Sequence, residues 1–175
     1  MAAETFHSRH PKGSAEVAGS DATAASPAEA VGPVLFAYDG SELAQLGIEE
    51  AGRQLAPGRQ ALVLCVWQPG DVGFEPVGDG HFDAANAAEV REAAEQTAAH
   101  GVALAQQAGF QATGMATQGA PTWKSIVAAA TEHGVSLIVL GSHRRTGLAG
   151  HLLGSVAAEV AAHSTSSVLI VHRPA

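Results

Sequence analysis

Residues 136–172 read SLIVLGSHRRTGLAGHLLGSVAAEVAAHSTSSVLIVH, and this stretch decides the fold predicted for the whole chain. Leu137–Leu140 is a short apolar run of strand type that stops at Gly141. A glycine-rich loop follows, and Gly154 opens a segment whose apolar residues repeat at helical spacing. Val168–Val171 is a second apolar run of strand type. The pattern predicts a strand, a loop, a helix and another strand.

The loop in this stretch is predicted to hold phosphate, because backbone N–H groups are free at a helix start and the helix dipole favours negative charge there. Its glycines let the backbone approach an anion closely, and Ser155 adds a hydroxyl. Arg144 and Arg145 are the only adjacent basic pair in the chain, and a guanidinium can pair with two phosphate oxygens. His143 beside them is a further phosphate candidate. The alternative is a solvated loop without a ligand.

The rest of the chain continues the alternation of strand and helix. Near-continuous or alternating apolar runs predict three earlier strands, at Pro33–Tyr38, Gln60–Trp67 and Gln111–Thr117. Apolar residues at helical spacing predict the helices between them: one that begins at Ser41, one over Ala84–Ala108 and one from Thr122 to Gly134. The apolar face of the second helix is predicted to contain Val90, Ala94, Thr97, Gly101, Leu104 and Ala108. The fold class is therefore α/β, a single-domain open parallel sheet with five strands and helices on both faces.

Three separate segments of such a sheet are expected to meet in one crevice. Ligands of open parallel sheets bind at the carboxyl ends of the strands, where Asp39, Val66 and Gly141 are predicted to lie. The Asp39 carboxylate either accepts hydrogen bonds from a ring amine or a ribose hydroxyl, or bonds its own backbone two residues on.

Composition excludes several classes of function. The chain has 175 residues, 46% of them hydrophobic, and a net charge of -8, which argues against a general nucleic-acid-binding surface. No segment approaches the roughly eighteen apolar residues of a membrane span. The single cysteine, Cys65, is predicted to be a buried structural thiol, and we expect a reducing, cytoplasmic location. Residues 1–31 are predicted to be a disordered extension before a domain at 32–175, and residues 68–83 a long loop or lid.

Known catalytic and metal-binding patterns do not fit the sequence. Residues 150–155 lack the lysine of a P-loop, and Ser155 lacks the Gly-x-Ser-x-Gly frame of a hydrolase. The histidines lack the spacing of a metal site. We therefore predict no catalytic residue and no metal ligand.

The chain resembles the universal stress protein (UspA-like) superfamily from about Pro33 to Arg173. Four segments carry the resemblance: Tyr38-Asp39-Gly40-Ser41, Gly119-Ala120-Pro121, Leu137–His143 and Leu152–Val156. Nucleotide-binding members of this family carry Gly-x2-Gly-x9-Gly-Ser/Thr, and this chain has Gly141-x2-Arg144-x9-Gly154-Ser155. Arg144 replaces the second glycine and either crowds the loop or adds a charge to the phosphates.

The resemblance implies an adenine nucleotide alpha hydrolase-like fold with strand order 3-2-1-4-5. It implies that the chain binds ATP or a related adenine nucleotide, with or without Mg²⁺. The implied nucleotide-binding residues are Ala37, Tyr38, Asp39, Val66, Leu140, Gly141, His143, Arg144, Arg145, Gly154, Ser155 and Val156. It also implies a homodimer that packs through Val168–Val171, an apolar run that would otherwise leave a sheet edge uncovered.

Three functions are compatible with these features. The first is a dimeric ATP-binding protein of stress response or signalling. The second is a dimeric stress protein that binds no nucleotide and acts through protein contacts. The third is a slow nucleotide hydrolase.

Overall fold

The computed structural model describes residues 31–68, 84–142 and 154–173. The described elements alternate between strand and helix in this order: β1 (Val34–Ala37), α1 (Glu42–Gln54), β2 (Gln60–Trp67), α2 (Ala84–Gln107), β3 (Gln111–Gln118), α3 (Thr122–Glu132), β4 (Leu137–Gly141), α4 (Ser155–His163) and β5 (Ser167–Val171). Apart from Val31 and Gln68, the predicted extension and the predicted loop at 68–83 lie outside the described residues. His143, Arg144 and Arg145 also lie outside them.

The five strands form one sheet in the order β3-β2-β1-β4-β5, and every described pairing is parallel. The α/β class and the strand order 3-2-1-4-5 are therefore confirmed. Parallel strands need crossover connections, and each crossover between described strands contains one helix. β3 and β5 form the two edges of the sheet.

Each face of the sheet carries its own apolar core. Phe36 and Val63 point to the face that is covered by α1 and α2, and Phe36 meets Phe110 edge to face with ring centroids 5.1 Å apart. Leu35 and Ile138 point to the opposite face, which is covered by α3 and α4. Because successive side chains of a strand alternate between faces, the near-continuous apolar runs of β1, β2 and β4 fill both cores.

The apolar face of α2 differs from the prediction beyond Ala94. The buried residues continue through Ala98, Gly101 and Ala105, whereas Thr97 and Leu104 are only half-buried. Small residues occupy the buried positions of α2 because the helix lies very close to the sheet. A methyl group on Gly101 would stand 2.7 Å from Cδ1 of Tyr38 and 2.7 Å from Cγ1 of Val63.

The Arg59 side chain holds the backbone that precedes β1, at the amino ends of the strands and thus on the side of the sheet away from the predicted crevice. It is 8% exposed, and Nε donates to the carbonyl of Gly32 at 3.0 Å. Nη2 donates to the carbonyl of Val31 at 3.3 Å and also to Oγ of Ser136. Burial lowers the pKa of this guanidinium from its ordinary value, and the sequence alone did not indicate this role.

Candidate functional site

A cavity of about 140 Å³ opens at the carboxyl edge of the sheet, where β1, β2 and β4 end and α1, α3 and α4 begin. It is lined by Ala37, Tyr38, Asp39, Ser41, Ala44, Leu64, Val66, Thr122, Ile126, Leu140, Gly141 and Val156. Seven of these belong to the site residues predicted from the sequence. The sequence did not indicate the other five, which are Ser41, Ala44, Leu64, Thr122 and Ile126.

The cavity exists because β1 is four residues long and β2 is eight. Their pairing ends at Ala37 and Leu64, and the N–H of Tyr38 donates to the carbonyl of Leu64 at 2.9 Å. Backbone groups of a strand point alternately to its two neighbours. The main chain of Val66 therefore points the same way as that of Leu64, into the cavity beyond the last pair of β1.

Asp39 is exposed and closes the turn between β1 and α1. Its Oδ1 accepts a hydrogen bond from the N–H of Ser41 at 3.0 Å, so the interaction with its own backbone two residues on is present. Ser41 in turn caps α1, because its Oγ accepts from the N–H of Ala44 at 3.2 Å. A carboxylate has a second oxygen that can accept further bonds, and Asp39 lines the cavity.

Tyr38 takes part in the cavity through its main chain. Its side chain is 2% exposed, packs in the core on the α2 side of the sheet, and makes a hydrogen bond of 2.7 Å with Nδ1 of His100. Burial is the main cause that raises the pKa of the Tyr38 phenol above 10.0. The phenol is thus a structural group that faces away from the cavity.

The amino end of α4 presents donors beside the cavity. Gly154 precedes the helix, and within the described residues no side chain caps the first turn. The first intrahelical bond runs from Ala158 to the carbonyl of Gly154 at 3.0 Å. The N–H groups of Ser155, Val156 and Ala157 therefore have no partner within the helix, as is general for a first turn.

Gly141 is needed for packing as well as for access to the cavity. A methyl group at this position would stand 2.5 Å from the carbonyl carbon of Leu43 and 2.6 Å from its oxygen. These are backbone atoms of α1, which cannot rotate away. The glycine at the end of β4 therefore lets the first turn of α1 close one side of the cavity.

A wider groove of about 620 Å³ adjoins the cavity and shares Thr122 and Val156 with it. Ser155, which was predicted as a phosphate contact, lines this groove together with Trp123. Val156 is 37% exposed, although it is apolar, because it forms part of both walls.

Within 31–68, 84–142 and 154–173, no group of three His, Cys, Asp or Glu side chains is placed to hold a metal ion. None of the helices in these ranges has both the length and the apolar character needed to cross a membrane.

These features define an α/β protein with a ligand-sized cavity at the carboxyl edge of a five-stranded parallel sheet. The model of the universal stress protein family matches residues 31–172, and the chain belongs to that family. The resemblance seen in the sequence is thereby confirmed. Proteins of curated function gave no significant match.

Solved structures show the same fold. The hypothetical protein MJ0577 is 25% identical, with 83% of this chain and 98% of that chain covered and a TM-score of 0.66. A universal stress protein solved in complex with cAMP is 26% identical, with 81% and 97% covered and a TM-score of 0.52. A universal stress protein from Archaeoglobus fulgidus, solved in complex with dAMP, is 19% identical over 80% and 96% of the two chains, with a TM-score of 0.56. This last likeness concerns the fold alone.

Proposed function

We propose that this universal stress protein binds an adenine nucleotide, with the base in the cavity and the phosphates at the amino end of α4. One observation carries the proposal: a cavity at the carboxyl edge of the sheet adjoins the first turn of α4, whose N–H groups have no partner within the helix. Its volume of about 140 Å³ is close to the roughly 150 Å³ that holds a benzene ring in another protein. The related structure with cAMP, at 26% identity, gives independent support.

The base is read by the main chain of Val66. Its N–H and C=O point into the cavity as one donor and one acceptor, which matches the ring nitrogen and the amino group on the pairing edge of adenine. Ala37, Leu140 and Val156 supply apolar walls for the faces of the ring. Asp39 stands at the mouth and accepts from a ribose hydroxyl through its second carboxylate oxygen.

The phosphates lie against the first turn of α4. Ser155 contributes its hydroxyl and its N–H, and the N–H of Val156 follows. His143, Arg144 and Arg145, which follow the end of β4 in the sequence, supply the positive charge in a protein of net charge -8. The ligand is ATP or a related nucleotide, and a bound Mg²⁺ would neutralise part of the charge of a triphosphate.

The nucleotide serves as a signal rather than as the substrate of fast chemistry, and the protein acts in stress response or signalling as a dimer. The dimer packs through Val168–Val171, which lie half-buried on the edge strand β5. An exposed apolar edge strand invites pairing, and a twofold axis covers both edges at once.

Arg144 favours a second candidate, a dimeric stress protein that acts through protein contacts without a nucleotide. The residue stands where nucleotide-binding members carry a glycine. The two candidates differ in one measurable property, which is saturable binding of an adenine nucleotide.

Calorimetric titration of the wild type with ATP, ADP, AMP, cAMP and adenosine, each with and without Mg²⁺, tests the proposal. We expect saturable binding of at least one nucleotide, and its absence at millimolar concentration would favour the second candidate. Val156→Glu places a carboxylate on the wall of the site, and we expect it to weaken binding at least about tenfold, because a like charge close to the phosphates opposes them. A carboxylate in a first helical turn does not harm the helix, so the variant should fold.

Val31→Glu is the matched control. Val31 is the other exposed large apolar residue of the described chain, at 54%, and it lies before β1 at the opposite edge of the sheet. We expect its affinity to equal that of the wild type. Equal losses in the two variants would show that the cavity is not the binding site.

A further inference from the structure

Ser142 follows β4 directly and is buried, with 3% exposure. Its Oγ accepts a hydrogen bond from the N–H of Gly154 at 2.9 Å. The two residues are 12 positions apart and stand at the two ends of the segment that joins β4 to α4. One hydroxyl therefore fixes where α4 starts relative to the end of β4.

The backbone of Ser142 is itself held on the side of β5. Its N–H donates to the carbonyl of Val171 at 2.9 Å. Its own carbonyl oxygen lies 3.1 Å from Nδ1 of His172, in hydrogen-bond contact. Because both main-chain groups of Ser142 are engaged, its hydroxyl is presented to Gly154 from a fixed base.

Gly154 leaves little space for a side chain beside the Ser142 hydroxyl. Its φ of -56° and ψ of 148° are open to any residue, so the backbone does not require glycine here. A methyl group at Gly154 would, however, stand 3.2 Å from Oγ of Ser142. A side chain at this position would therefore press against the serine hydroxyl.

We propose that Ser142 is a positioning residue for phosphate binding. Its hydroxyl accepts a hydrogen bond from the N–H of Gly154 and thereby fixes the start of α4. The next three N–H groups, those of Ser155, Val156 and Ala157, are then oriented toward the ligand. Gly154 then serves as the pivot of the site, and the donors to phosphate come from the helix itself. This inference rests on the proposed function, because it assigns Ser142 to the phosphate part of the same site.

Ser142→Ala tests the inference with two readouts. Amide exchange at Gly154, followed by NMR, should accelerate because the N–H loses its acceptor. The dissociation constant for AMP should rise about fivefold, the size expected of one neutral hydrogen bond, whereas that for adenosine should stay within twofold. A merely structural role would weaken both ligands alike.

Two companion variants sharpen the test. Ser142→Thr retains the hydroxyl and should restore both the slow exchange and the affinity for AMP. Gly154→Ala crowds the hydroxyl from the other side and should weaken AMP binding in the wild-type background. The same change should have a smaller effect in the Ser142→Ala background, where the crowded oxygen is gone.

The outcomes separate this inference from the proposed function. A wild type that binds neither AMP nor adenosine overturns the proposed function and the positioning role with it. A wild type that binds AMP, together with a folded Ser142→Ala variant of equal affinity, overturns the positioning role alone. Equal losses for AMP and adenosine do the same.

Discussion

Two glycines inside helices provide a matched test of how tightly α1 and α2 lie on the sheet. Gly47 in α1 and Gly101 in α2 are both buried. A methyl group at Gly47 would stand 3.5 Å from Cγ1 of Val139, which is an ordinary van der Waals contact. At Gly101 it would stand 2.7 Å from both Tyr38 and Val63.

The same substitution should therefore have opposite effects at the two positions. Replacing glycine by alanine inside a helix gains about 1 kcal/mol of helix propensity. Gly47→Ala keeps that gain and should raise the free energy of unfolding by about 1 kcal/mol. Gly101→Ala gains the same amount but overpacks the core, which costs about 1–3 kcal/mol. The two variants should differ by about 1–3 kcal/mol.

Thermal unfolding followed by far-ultraviolet circular dichroism measures this difference. For a domain of this size, 1 kcal/mol corresponds to roughly 2–4 °C in Tm, so Gly101→Ala should melt about 2–12 °C below Gly47→Ala. Urea unfolding should show unchanged slopes, since both variants expose the same surface. A Gly101→Ala variant that melts at or above Gly47→Ala would refute the close packing of α2 on Tyr38 and Val63.

Three further predictions concern single contacts. Tyr38 is the only tyrosine, so the near-ultraviolet titration of tyrosinate reports its pKa directly, and burial should put the midpoint above pH 10.0. Its contribution to stability is complete below the unfolded pKa and is lost as the pH rises through the folded pKa; a midpoint at or below 10 contradicts its burial. Arg59→Met removes the donor to Oγ of Ser136 and to the carbonyl of Val31, and one of the two donors to the carbonyl of Gly32, which keeps the hydroxyl of Ser136. Urea unfolding should therefore show a loss of about 1–3 kcal/mol, and an unchanged midpoint would mean that the anchor contributes nothing. Ser41→Ala removes the cap on Ala44 and should cost about 1 kcal/mol, whereas Ser41→Asn should not.

The sequence predicted the fold well because apolar runs and turn residues act locally. Leu137–Leu140 and Gln60–Trp67 read as buried strands from composition alone, and both are strands in the sheet. The face of α2 was harder, because alanine and glycine carry little apolar signal. Only the closeness of the sheet explains why Ala98 and Ala105 are buried rather than Thr97 and Leu104.

The site was predictable where strand ends define it and not where distant contacts do. Asp39 and Val66 follow from the rule that parallel strands place their carboxyl ends at one edge. The hydrogen bond of the Tyr38 phenol depends on a partner in α2, His100, which lies 62 positions away. Ser142 and Arg59 likewise act through residues that no local pattern connects to them.

Because β1 is short, the proposed ligand would also have a structural role in the sheet. The pairing of β1 with β2 ends at Ala37 and Leu64 except for the N–H of Tyr38, and Val66 lines the space beyond it. A base bound to the main chain of Val66 would occupy that space. The nucleotide would then take the position of a further hydrogen-bonded residue at the end of β1, and it could leave again. Occupancy would then add hydrogen bonds at the open end of β2, and the ligand would act as a part of the fold as well as a signal.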